Sequence, residues 1–188
     1  MTEIVESYRK WTPPIGVHAA VERLIAGTPP SHLHGVKWVV LTNTAALTGA
    51  RRRRKTRARR RKVALTRCRG LYHHAWRGEP AWIEIFVNKI TEPLPNLLRN
   101  SEVLLDLLVG EVFFHELGHH LHSTKAPEYA DPEDVADRWS TRLLRSYFRR
   151  RHWLLFGILY VPFRVARLWR QLVSRLRRHP LGRRLRAA

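Results

Sequence analysis

Cys68 is the single cysteine in this chain of 188 residues, and there is a single methionine. A lone cysteine excludes a disulfide framework and a four-cysteine zinc ribbon. It makes a reducing, cytoplasmic compartment the expectation. Acidic residues are also scarce and unevenly placed. None lies between Arg23 and Gly78, and none from Arg138 to the last residue. With 35 lysines and arginines against 15 acids, the formal charge is +20. A field of that sign draws phosphate polymers and anionic lipid surfaces, and it says nothing about fold. Long hydrophobic runs are missing as well. The apolar run from His152 to Phe163 would extend only about 18 Å as a helix, against roughly 30 Å of bilayer hydrocarbon. It is too short to cross alone. The opening MTEIVESYRKWTPP is polar and acidic, unlike a signal peptide.

What remains is enough for a core. Hydrophobic residues make up 44% of the chain and seven are tryptophan, a globular composition. The pattern predicts a helix over residues 14–26, stopped by Gly27 and Pro29-Pro30. A strand is predicted over residues 35–43 and another over 81–90, both rich in bulky and β-branched types. Residues 63–76 have room for one or two more strands. Between Arg51 and Lys62, ten of twelve residues are basic. Such a block repels itself and predicts a solvated loop. A longer helix is expected from Ser101 to Ser123. Another follows, with Asp131 as N-cap, Pro132 in its first turn and a row of Val135, Trp139, Leu143 and Tyr147. After Pro162, Val165, Leu168, Trp169, Leu172, Val173 and Leu176 fall on one helical face among arginines, a basic amphipathic helix. The expected organisation is an α+β domain over residues 1–150, with a basic loop at 50–62, and a basic helical extension over 151–188.

The chemistry concentrates in EVFFHELGHHLHS, residues 111–123. Buried ionisable groups are costly unless paired, and His115, Glu116 and His119 stand among core-forming side chains. Positions four apart share a helix face, so His115 and His119 can direct ring nitrogens at one zinc ion. Glu116 is placed to act as general base toward water activated by that ion. His122 lies about 10 Å further along the axis than His115, too far for the same ion, and His120 points about 100° away from His119. A third ligand must come from elsewhere, and DPEDVAD is the next acidic stretch. Glu133 is the expected ligand, with Asp137 one turn on accepting a hydrogen bond from a zinc-bound histidine. Asp134, Asp137 and Asp131 are the alternative ligands. Tyr129, His73, His74 and Tyr72 are candidates by type for stabilising a developing oxyanion.

HELGHHLH followed by EDVADRWSTRLL resembles the gluzincin zinc metallopeptidases, which pair HExxH on one helix with ExxxD on the next. The likeness is closest to the small ImmA/IrrE-like peptidases and covers about residues 81–145. It implies a small zincin-like domain with a short mixed sheet packed on the HExxH helix. It also implies one zinc ion held by His115, His119 and Glu133, with Glu116 as general base, and an endopeptidase acting on a protein or peptide. The segment between His119 and Glu133 is shorter than the family pattern leads one to expect. The alternative is a non-catalytic basic protein that binds an anionic membrane surface or nucleic acid, without sequence specificity, through Arg51–Lys62 and the C-terminal helix. The two readings combine in a cytoplasmic peptidase held peripherally at a membrane.

Overall fold

The computed structural model describes residues 1–58, 61–125 and 132–155. The chain divides into two units, residues 1–147 and 148–188. The first is mixed α and β. Its main sheet has four strands, β1 (Glu3–Ser7), β2 (Val36–Thr42), β5 (Gly70–His73) and β6 (Ala81–Phe86), in the order β1-β2-β6-β5. The first three in that order run parallel, and β5 runs antiparallel to β6 along one edge. Between them in sequence lie helix α1 (Val17–Ala26), the turns α2 (Pro30–Leu33) and α3 (Gly49–Arg53), and a second sheet of β3 (Lys55–Ala58) and β4 (Arg61–Ala64).

Strand β6 is almost wholly buried, as expected of an inner strand covered on both faces. It ends earlier than the expected 81–90, because residues Val87–Thr91 turn into a short helix, α4. Asn88 secures that turn: its carbonyl oxygen accepts the Thr44 N–H at 3.0 Å and its amide donates to Thr44 Oγ1 at 3.0 Å. Strand β1 was not foreseen. It is mostly exposed, so its sequence carries little apolar alternation. Thr2 Oγ1 donates to the Val36 carbonyl at 2.8 Å and Thr42 Oγ1 to that of Ser7 at 2.7 Å, fastening β1 to β2 at both ends.

The expected solvated loop at 50–62 is corrected. Arg51–Arg53 belong to α3, and Lys55–Ala58 and Arg61–Ala64 form the antiparallel ribbon β3–β4, with Lys55 opposite Ala64 and Thr56 opposite Val63. Charge repulsion is outweighed because the ribbon is rooted. Leu47 and Leu65, on either side of it, pack with Phe86 in one small core.

Helix α5 (Glu102–Lys125) runs through the middle of the unit and is buried on most of its circumference. Helix α1 offers it Val17, Ala20, Val21 and Leu24, a stripe at helical spacing that is fully buried; of the stripe expected from the sequence, Ile15, Ala19, Leu24 and Ile25, only Leu24 belongs to it, Ala19 and Ile25 being partly buried and Ile15 exposed. Helix α6 (Pro132–Arg151) begins at the expected proline. Its Val135, Leu143 and Tyr147 are buried, while Trp139 is partly exposed and sits edge-on to His32 at 5.4 Å. Deeper in, the buried Asp106 carboxylate of α5 accepts three bonds from Arg23 of α1, at 2.6, 3.1 and 3.4 Å, and one from the Tyr147 hydroxyl at 2.7 Å. That cluster ties the three helices together.

The described part of the second unit holds the end of α6 and a single turn, α7 (Trp153–Leu155). Phe148 and His152 pack with ring centroids 5.1 Å apart, and Trp153 and Leu154 are exposed. The expected amphipathic helix after Pro162 lies outside the described residues, as does Asp131. Among the described residues, no helix is long and apolar enough to cross a membrane.

Candidate metal centre

Helices α5 and α6 meet where their backbones can come closest. A Cβ built on Gly118 would stand 2.7 Å from Ala136 Cα and 2.8 Å from its carbonyl oxygen. Only glycine on α5 permits that approach. A glycine inside a helix costs about 0.5–1 kcal/mol against alanine, so its place in HELGH has a packing reason. One turn along, the Ser140 hydroxyl donates to the Glu111 carbonyl at 3.2 Å and fixes the register of the two helices.

That register carries Glu133 and Asp137 to the histidines. Glu133 Oε2 lies 3.6 Å from His115 Nε2, and Glu133 Oε1 lies 3.8 Å from His119 Nε2. The two imidazoles stand perpendicular with centroids 4.8 Å apart. One ligand atom from each of His115, His119 and Glu133 falls within 4.8 Å of the others. Ligands about 2.0–2.2 Å from a tetrahedral zinc are separated from each other by roughly 3.3–3.5 Å. The triad fits such an ion with small adjustments, and its carboxylate and imidazoles are donors that zinc accepts.

Asp137 sits behind His115. Its Oδ1 is 3.1 Å from His115 Nδ1, so that nitrogen bears the hydrogen and Nε2 faces Glu133 and His119. Burial opposes charge on the His115 ring, but hydrogen bonds to Asp137 and Glu133 override it and push its pKa up to about 10. Burial and the positive His115 ring together hold His119 below its ordinary value. Without metal, the proton therefore resides on His115, and His119 keeps a free lone pair.

Glu116 is buried beside them, against strand β5. Burial pushes its carboxyl up to about 7, partly opposed by the nearby His115 ring, while Glu133 pushes it further up. The Tyr72 backbone N–H donates to the carboxylate. Gly70, at the start of β5, supplies the space: a Cβ there would come within 2.7 Å of Glu116 Oε1 and 2.6 Å of Val112 Cγ1. Gly70, Gly118 and the Tyr72 amide were not legible as site residues, because their roles depend on which distant segment faces them. The helix-interior glycine was the one signal on offer.

The remaining candidates separate. His120 is buried away from the triad: its Nε2–H donates to the His34 carbonyl at 2.9 Å, and its Nδ1 accepts from the Tyr72 hydroxyl at 2.9 Å. Tyr72 is thus engaged by the fold. His73 stacks on Trp82 at 3.6 Å and meets the buried Glu84 at 3.1 Å, on the β5–β6 face. His74 sits edge-on to Tyr72 at 4.6 Å and is near enough to His73 and His122 that, with burial, they lower its pKa. His74 in turn helps to hold the His119 pKa down. Among the described candidates for oxyanion stabilisation, His74 is the one electrostatically linked to the triad; Tyr129 lies outside the described residues. Cys68 is half-buried, and burial with Glu116 and Glu133 nearby pushes its thiol up to about 11, so it stays protonated near neutrality.

Comparison with family models, with curated proteins and with solved structures found no match.

Proposed function

We propose that this protein is a zinc-dependent peptidase of the gluzincin type, similar in its motif to the small ImmA/IrrE-like peptidases. The observation that carries the reading is the triad. Two histidines four apart on α5 face a glutamate from α6 at 3.6 and 3.8 Å, with an aspartate behind one of them. A structural need for charge pairing explains a single histidine–carboxylate contact. It does not explain three donors converging at metal-ligand spacing beside a fourth, buried carboxylate.

In this reading His115, His119 and Glu133 hold the ion, and Asp137 orients the His115 ring. Bound zinc would supply Lewis acidity and bring the ionisation of water into the neutral range. Glu116, whose pKa is raised to about 7, accepts a proton from the attacking water and returns it to the leaving amine. The Tyr72 amide and the gap at Gly70 keep its carboxylate aimed. His74 is the residue we assign to the developing oxyanion.

The experiment is hydrolysis of an unstructured protein substrate with zinc-loaded wild type and Glu116→Gln. The variant retains zinc and loses at least about a hundredfold in rate, the scale of a missing general base. Hydrolysis at the wild-type rate by Glu116→Gln would remove the peptidase reading while leaving the metal centre standing.

A further inference from the structure

We propose that the ribbon β3–β4, with the arginines of α3 at its root, is a nucleic-acid-binding arm that grips the phosphate backbone without selecting sequence. The inference is independent of the metal centre.

The arm is built to hold its shape. Leu47 and Leu65, the residues that bracket it, are both buried against Phe86, so its two ends enter one core. The Leu65 N–H donates to the Arg54 carbonyl at 3.1 Å and closes the base of the ribbon. Arg51 anchors the root, with Nη2 2.8 Å from the buried carboxylate of Glu84. Beyond that anchor, Arg52, Arg53, Arg54, Lys55 and Lys62 are all exposed. No acidic residue occurs anywhere from Arg23 to Gly78 to neutralise them locally. Positive charge has thus been concentrated on a rooted element, which loses less conformational freedom on binding than a free tail.

The composition decides between anionic partners. Eight of the ten basic residues from Arg51 to Lys62 are arginine, whose planar fork donates two parallel N–H bonds to phosphate oxygens. That stretch contains no aromatic residue, leucine, isoleucine or valine. A lipid surface is gripped through such side chains buried at the interface; the arm's one valine, Val63, is half-buried in β4 beside Leu65 at the base. A two-stranded ribbon also has the dimensions that the major groove of DNA admits. Contacts of guanidinium to phosphate position a protein on the duplex and carry no sequence information.

The test uses the full-length protein and a short labelled DNA duplex of mixed sequence, followed by fluorescence anisotropy across a salt series. One variant carries Arg52→Ala, Arg53→Ala, Arg54→Ala and Lys55→Ala, exposed positions away from the core. A control of equal charge change carries Arg164→Ala, Arg167→Ala, Arg170→Ala and Arg175→Ala. The arm variant is expected to bind about tenfold or more weaker near 0.1 M salt, with the slope of log K against log salt shallower by about 3–4. The control is expected to lose less, and a second unrelated duplex to bind wild type equally well. Wild-type affinity in the arm variant would overturn the proposal. So would equal losses in both variants, which would assign binding to net charge alone. Loss of binding to phosphatidylserine vesicles with the duplex still bound as tightly as by wild type would make the arm a membrane element instead.

Discussion

At the scale of single residues, the proposed metal centre depends on where one proton sits. His115 is the only triad member placed between two carboxylates, Asp137 at its Nδ1 and Glu133 at its Nε2. Its pKa in the metal-free protein is about 10, above the ordinary histidine range, so the ring is charged at pH 7. Zinc binds the neutral imidazole, and ligation must therefore displace that proton. The sign follows directly. Zinc affinity is expected to rise as pH rises from 7 toward the His115 pKa, by about tenfold per pH unit for one displaced proton. Calorimetric titration of metal-free protein in buffers of different ionisation enthalpy is expected to show about one proton released per zinc at pH 7. No net release would mean that His115 is already neutral, contrary to its surroundings.

At the scale of elements, the site is a helix–helix junction, and its geometry is set by a residue that offers no ligand atom. Gly118 lets α6 approach α5, and any side chain there meets the Ala136 backbone. Gly118→Val is expected to push α6 outward and weaken zinc binding by about tenfold or more, as misplaced outer partners do, although every ligand is present. Zinc affinity equal to wild type in that variant would show that α6 is positioned by other contacts. The same junction explains what could be read in advance. Helix α5, with its HExxH face, was legible because its apolar spacing and its motif are local properties of residues 101–123. Strands β2 and β6 were legible for the same reason, apart from the turn that Asn88 imposes after Phe86. Strand β1 was not, because pairing with β2, rather than its own apolar content, makes it a strand. The ribbon β3–β4 was misread as loop, since its sequence shows the repulsion and hides the remote root at Leu47, Leu65 and Phe86. Glu133 was singled out by its spacing from Asp137; its 3.6 Å approach to His115 depends on Gly118 and Ser140, which no spacing encodes.

At the scale of the whole molecule, the unit over residues 1–147 must keep α1, α5 and α6 in register without relying on a metal ion. The Asp106 cluster does this away from the triad. Asp106 is fully buried, and its charge is balanced by Arg23 and hydrogen-bonded by Tyr147. Replacing one partner of a buried pair leaves the other charge uncompensated, at a cost of about 3–5 kcal/mol. Arg23→Ala is therefore expected to lower unfolding free energy by about that amount in urea denaturation. A loss below about 1 kcal/mol would mean that water or another donor takes the place of Arg23 at Asp106.

Whether His115, His119 and Glu133 hold one zinc ion is decided by metal analysis of the purified 188-residue chain. Wild type, the double variant His115→Ala, His119→Ala, and Glu133→Gln are each loaded with zinc, desalted and measured. About one zinc per chain is expected in wild type, none in the double variant, and strongly reduced retention in Glu133→Gln, with helical content preserved throughout. Equal zinc content in wild type and the double variant would contradict the proposed site.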